Sequence, residues 1–268
     1  MCVDSATNEI RLIPWRRIEL ETAGSTSSLA REWVERDCER VPFAVRARNQ
    51  TAGRGRSGNA WWSDQGGLTF TVAFDPAPIG LAVEHGPRIA VAVAVAIVDV
   101  VAPFANNKRI GIRWPNDVES EGRKLAGILP ERVETPDGAR MLIGVGVNVR
   151  GDFSTAPAAI AATATSIERI ADLSISEIIF ENIYNRLLGA IGSRVIDLAA
   201  GSAELEDRWR DLDLLLGERV RVDLGGGIIE GLAAGIDRNG SLWVSSEHEG
   251  AIALFGGRVL RDDPPRSA

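Results

Sequence analysis

The spacing of apolar and polar positions along the chain predicts helices and strands interleaved in one large unit, followed by a short all-strand unit. Ser25 is placed to cap a helix running through about Asp37, with Leu29, Trp33 and Val34 on one face. Phe43–Arg46 and Leu68–Phe74 are strand-like, and Pro87–Val101 is an alanine- and valine-rich helix ended near Pro103. Ile110–Trp114, Lys124–Val133 and Met141–Val149 read as strands joined by turns, with Pro136-Asp137-Gly138 at a hairpin. Ser174-x-x-Glu177 fits a capping box that opens a helix with Ile179, Ile183, Leu187 and Ile191 inward. A further helix covers about Ser202–Leu212.

After Leu216-Gly217 the texture changes. Arg219–Val222, Ile228–Ala234, Ser241–Val244 and Ala251–Leu254 are short alternating runs, separated by Gly225-Gly226-Gly227 and Asp237-Arg238-Asn239-Gly240. That pattern predicts a small β-barrel docked on the larger unit. The chain divides into a tail (1–14), a main unit (15–213), the barrel (214–262) and a frayed end (263–268), with Arg261 already at the fray.

Composition narrows the classes. With 45% hydrophobic and 25% charged residues the chain is neither disordered nor fibrous. A net charge of −7 argues against non-specific nucleic-acid binding, which needs a basic face. The apolar run Ile89–Val98 is too short to cross a bilayer. Met1-Cys2-Val3-Asp4-Ser5 does not read as a signal peptide, so the expectation is a soluble cytoplasmic protein. Cys2 and Cys38 lack metal-like spacing, and His85 and His248 have no partner motif, so neither a zinc site nor a histidine triad is expected. The cations are 28 arginines and two lysines, Lys108 and Lys124. Codon bias in a GC-rich genome would suffice to explain the ratio, yet a lysine inside a dense polar motif is then less readily filler.

Four segments carry candidate chemistry. In Gln50-Thr51-Ala52-Gly53-Arg54-Gly55-Arg56-Ser57-Gly58, followed by Trp61, glycines free backbone N–H groups while two arginines offer forked donors to an anion. It is neither a Walker A loop nor a dinucleotide fingerprint, and a solvated turn would have the same composition. Arg113-Trp114-Pro115-Asn116-Asp117 precedes Gly122-Arg123-Lys124-Leu125-Ala126-Gly127-Ile128-Leu129, so a hairpin would bring Asp117 and Lys124 together. Such a pair either follows charge on an acyl or phosphoryl oxygen or is an ordinary surface ion pair. Alternating glycines in Ile143-Gly144-Val145-Gly146-Val147-Asn148 mark close approach, of a ligand or of a helix. Gly24-Ser25-Thr26-Ser27 at a helix start either binds an acceptor-rich group or only caps the helix.

In this order the four segments resemble the biotin protein ligases (biotin–[acetyl-CoA-carboxylase] ligase), over about Glu19 to Leu260. The resemblance implies an α+β fold: a mixed-sheet catalytic domain of the biotin/lipoate ligase type followed by a small SH3-like β-barrel. It implies ATP and biotin as substrates, Mg²⁺ arriving with the nucleotide, a biotinyl-5′-AMP intermediate, and a lysine of a biotin carboxyl carrier protein as acceptor. Arg56 and Lys124 would then hold the biotin carboxylate and α-phosphate. Ser25, Thr26, Gln50, Gly53 and the Arg54 backbone would hold the ureido ring, and Gly144 and Gly146 would leave room for the bicycle. Trp61, Asn116 and Asn148 would lie by the nucleotide. Asp117 would organise the metal-bearing phosphates or assist the acceptor amine.

Two positions depart from the family pattern: Ser27 stands where asparagine is usual, and Asn59 where a loop arginine is usual. The second predicts looser retention of the adenylate. Some relatives carry an N-terminal winged helix-turn-helix, for which the residues before the pattern are too few, so no nucleic-acid partner is expected. The other readings are a non-catalytic biotin- or nucleotide-binding regulator and a lipoate-type ligase on the same fold. The oligomer is a monomer or a homodimer on this reading.

Overall fold

The structure, a computed structural model, describes residues 13–63, 65–82, 86–151, 153–246 and 250–261. Cys2, His85, His248 and the tails 1–12 and 262–268 lie outside the described residues. The first part of the chain forms a seven-stranded sheet. Its strands are β1 (Arg16–Ala23), β2 (Phe43–Gln50), β3 (Gly67–Phe74), β4 (Ile110–Arg113), β5 (Asp117–Ser120), β6 (Arg123–Thr135) and β7 (Gly138–Asn148). The order across the sheet is β1-β2-β3-β7-β6-β5-β4, with β1 parallel to β2 and every other neighbour antiparallel. Helix α1 (Thr26–Glu35) covers one face, while α2 (Gly86–Val101) and α5 (Glu177–Ala199) cover the other. Short helices α3 (Ala158–Thr163) and α4 (Ile167–Ala171) precede α5, and α6 (Ala203–Asp211) follows it. The remaining strands, β8 (Arg219–Asp223), β9 (Ile228–Ile236), β10 (Leu242–Ser246), β11 (Gly250–Leu254) and β12 (Arg258–Val259), make a second, antiparallel sheet of order β11-β10-β9-β8-β12. The α+β class and the small terminal all-β unit are as expected. No ladder joins β11 to β12 among the described residues, so the barrel is open there.

Helix α2 explains why one face of the large sheet is so thoroughly closed. Every residue from Ile89 to Val98 is at most 2% exposed, and the small Ala/Val side chains let the helix lie close to β6 and to α5. With its 3₁₀ extension, Gly86–Phe104 is long and apolar enough to cross a membrane, but its burial makes it the central core helix. The apolar core continues without a break into the second sheet through Val220, Val222, Leu242, Val244 and Leu254. Polar ties reinforce that docking: the Trp114 indole N–H donates to the Gly240 carbonyl at 2.8 Å, and the segment after α6 pairs with β4 through Ile112 N–H to Leu212 O at 2.7 Å.

Several expectations shift. The 174–177 capping box is not used: α5 begins two residues later, with Ser176 accepting from the Ile179 N–H, and Glu177 bonds both terminal nitrogens of Arg150 instead. Strand β1 escapes the apolar pattern because it is an edge strand, half of it charged, whose Ile18 and Leu20 are only partly covered. Helices α3 and α4 are too short to show a helical period, and Asp117, which follows strand β4 as expected, also begins the short strand β5. Ile13, expected in the tail, packs on the main core beside Trp15, whose indole N–H donates to Leu188 O at 2.9 Å. Arg261 is not frayed: it bonds the buried Glu119 and donates to Gly122 O at 2.8 Å. Lys108 is likewise engaged, donating to the carbonyls of Arg169 and Ile170 at 2.9 and 3.0 Å.

Candidate active site

The segments singled out in the sequence converge on one cavity of about 830 Å³. It lies between the start of α1, the 51–63 loop, the β6–β7 pair and the end of the second sheet. Local sequence dictates much of this. Ser25 caps α1 in extended conformation and accepts from the Ser28 N–H, so the following hydroxyls are delivered at a helix N-terminus. There Thr26 donates both its N–H (2.7 Å) and its hydroxyl (3.1 Å) to the Gln50 side-chain oxygen, and Thr71 donates to Thr26 at 2.9 Å. Ser27 shares a hydrogen bond with Thr71 at 3.1 Å. The result is a buried, mutually bonded polar cluster joining α1, β2 and β3.

The two strand glycines have separate explanations. A Cβ at Gly144 would overlap the Ser27 hydroxyl, and one at Gly146 would overlap the Trp61 indole. The space expected to be open over both glycines therefore holds this chain's own side chains. Trp61 lies across Gly146 and its cross-strand partner Gly127, with the Lys124 ammonium 5.6 Å from the ring centroid, and its indole N–H is buried with no partner among the described residues. Trp61 thus bridges the loop to the site's principal lysine.

Lys124 and Asp117 meet as the hairpin argument required, with Nζ 2.7 Å from Oδ1. Both are partly exposed to the cavity. Arg56 is adjacent. Its Nη1 donates to the Asn116 side-chain oxygen at 3.0 Å and reaches the Gly257 carbonyl of the second sheet at 3.5 Å. Burial pushes the Arg56 guanidinium below its ordinary value, and the charge of Asp117 opposes that shift. The Asn116 amide also donates to Ile128 O at 2.9 Å, so this side chain fixes Arg56 against β6. Arg113 is shifted down by burial too, opposed by Glu119, a carboxylate only 2% exposed. Two expected contacts are absent from the cavity wall. Asn148 is buried and donates to Lys124 O at 3.3 Å, and Gly53 lies on the outer side of the loop against the Trp61 backbone.

Sequence reading missed Thr69, Thr71 and the contribution of Gly257 to Arg261 on the cavity wall, and Glu131 beneath the outer side of the loop. Two threonines at alternate positions of the otherwise apolar 68–74 strand were the available signal for the first pair. Among the described residues no group of three or more His, Cys, Asp or Glu could hold a metal ion. The carboxylate at the cavity's cationic centre is Asp117, already paired with Lys124, so a protein-held metal does not fit this donor set.

A family model for the biotin/lipoate A/B protein ligases matches residues 25–148, and one for the biotin protein ligase C-terminal domain matches residues 215–249. The biotin–[acetyl-CoA-carboxylase] ligase of Mycobacterium tuberculosis is 33% identical over 234 residues, covering 85% of this chain and 83% of its own. The chain belongs to the biotin protein ligase family. The fold of this ligase is similar to that of the biotin protein ligase from Aquifex aeolicus in complex with biotin and ATP, with TM-score 0.76 and 25% identity over 91% of this chain and 97% of that one. It is also similar to the Leishmania major biotin protein ligase in complex with biotinyl-5-AMP, with TM-score 0.54 and 25% identity over 90% of this chain and 99% of that one.

Proposed function

We propose that this ligase joins biotin to a lysine of a biotin carboxyl carrier protein in two half-reactions, the first of which consumes ATP. The observation that carries the reading is the cluster of Arg56, Lys124 and Asp117 on the wall of one cavity. In the first half-reaction the biotin carboxylate oxygen attacks the α-phosphorus of ATP, the bond to the bridging oxygen breaks, and pyrophosphate leaves. Two anions must meet, so what the protein supplies is charge and position rather than covalent chemistry. Lys124 is a compact charge able to follow the reacting oxygens, while Arg56, held by Asn116, presents a fixed fork. Mg²⁺ enters as part of the nucleotide substrate. In the second half-reaction the carrier amine attacks the acyl carbon and AMP departs with the bonding pair. Asp117 stands beside Lys124 to orient that amine.

The hydroxyls of Ser25 and Thr26 with Gln50 and the Arg54 backbone offer the polar end of biotin its partners, and Trp61 offers an apolar wall. The division into a catalytic unit (15–213) and a terminal unit (214–262) belongs to the same reading, as does a cytoplasmic setting. An exposed free thiol at Cys38 is compatible with a reducing compartment. The deciding assay is pyrophosphate release with biotin or lipoate, followed by transfer of labelled biotin to a carrier domain. Release and transfer with biotin are expected. Turnover with lipoate alone would make this a lipoate-type ligase, and tight biotin binding without turnover would make it a regulator.

A further inference from the structure

Glu131 stands at the end of the strand face that lines the site, two and four residues beyond Leu129 and Gly127 on β6. Its side chain is only 13% exposed. One carboxylate oxygen, Oε1, takes two arginines: Arg31 of α1 at 3.0 Å and Arg54 of the glycine–arginine loop at 2.9 Å. The other oxygen, Oε2, is buried and has no partner among the described residues. A carboxylate this enclosed is costly unless it is paired, and the two guanidinium groups supply that pairing. The converse holds as well. Arg54, 41% exposed, is drawn onto the sheet through Glu131 and otherwise reaches only as far as Ser28 Oγ at 3.5 Å.

The base of the loop is closed by backbone bonds, Thr51 N–H to Ala23 O and Ala52 N–H to Gly24 O, and Trp61 N–H donates to Gly53 O across it. Between those ties the side chain of Arg54 fastens the loop sideways to β6 and, through the shared oxygen, to α1. The same α1 presents Ser25 and Thr26 to the cavity.

We propose that Glu131 is a positioning residue: through Arg54 it sets the resting place of the 51–63 loop relative to α1, and thereby the affinity for biotin, without touching the ligand. This rests on the biotin reading above. Glu131→Gln keeps shape and removes charge, and Arg54→Met removes this side-chain tie of the loop while leaving the carboxylate to Arg31. In pyrophosphate release, Glu131→Gln should raise the KM for biotin about tenfold with kcat within about twofold, the loss of one charged hydrogen bond that acts on binding alone. Tryptic cleavage after Arg56, followed without any ligand, should quicken by a similar factor in both variants, and combining them should add little to either. Glu131→Asp should restore part of the biotin affinity. Unchanged KM and unchanged cleavage in Glu131→Gln would overturn the proposal, as would equal losses in KM and kcat that Glu131→Asp leaves unrelieved. If the wild-type protein releases no pyrophosphate with biotin, the functional reading fails, and the ligand-free cleavage rates still decide whether Glu131 holds the loop.

Discussion

The two faces of the large sheet are made by the same strands, yet they are built to opposite rules. Along β3, Leu68, Phe70, Val72 and Phe74 enter the core under α2 and α5, while Thr69 and Thr71 face the other way, Thr69 donating to Ala47 O and Thr71 joining the hydroxyl cluster. Along β7, Ile143, Val145 and Val147 belong to that core, while Gly144 and Gly146 lie under Ser27 and Trp61. Along these stretches of β3 and β7 the first face carries only hydrocarbon. The other replaces hydrocarbon at the site with hydroxyls and bare backbone, so that neighbours approach to contact, and is apolar again at Ala73 and Leu142 under α1. Because side chains alternate with a period of two, a slip of one residue would exchange the faces and destroy both. The stability of the first face is what lets the second be polar and sparse.

Substitutions on the two faces should therefore separate. The largest effect is expected from the closed face: Phe70→Ala should cost about 3–5 kcal/mol of stability, read as a fall in the denaturant midpoint, and any loss of activity should follow the loss of fold. On the open face, Lys124→Ala should leave the midpoint nearly unchanged and cut adenylation by about 100- to 1000-fold, as removal of one charge-stabilising donor does. Lys124→Arg should recover only part of this, because a fork cannot replace a point charge, and near-normal rates in it would remove Lys124 from its assigned role. Gly146→Ala comes next. Its new Cβ would displace the Trp61 indole, and an overpacked contact costs about 1–3 kcal/mol, which should show as a biotin KM raised about tenfold with a far smaller change in melting.

The smallest effect belongs to the junction of the two sheets. Burial holds the Asp213 carboxyl above the usual aspartate range, against hydrogen bonds from the Leu215 and Leu216 N–H groups and the charge of Arg109. The folded chain therefore binds that proton more tightly than the unfolded chain, and stability falls as pH rises from the ordinary aspartate range through the folded-state value. Asp213→Asn should flatten that slope in a series of melting curves, and an unchanged slope would assign the pH dependence elsewhere.

How far the sequence disclosed all this depended on whether one segment contained the whole physical cause. Helix α2 and the β6–β7 hairpin did, in an uninterrupted apolar run and a Pro-Asp-Gly turn, and both lie where the pattern puts them. The Lys124–Asp117 pair was legible because a short hairpin leaves few other arrangements. What stayed hidden depended on distant partners. Ser176 caps α5 in place of Ser174 although both precede plausible helix starts, a choice in which Glu177 is held by Arg150. Arg261 looks like a frayed end until Glu119, 142 positions earlier, is known to be buried beneath it. Gly146 reads as space for a ligand until Trp61 is seen to occupy that space.

The two lysine ammonium groups have a chemical consequence of their own. Lys108 gives its hydrogens to two carbonyl oxygens at the end of α4, and Lys124 is held by Asp117. The other 28 basic side chains are guanidinium groups, which stay protonated and are not nucleophiles at neutral pH. On the proposed chemistry the enzyme generates a mixed anhydride that acylates amines, and it does so inside a chain whose two lysine side chains are both already engaged. An adenylate that strays from the cavity meets no unengaged lysine on its maker, which leaves the carrier's lysine with few amine competitors.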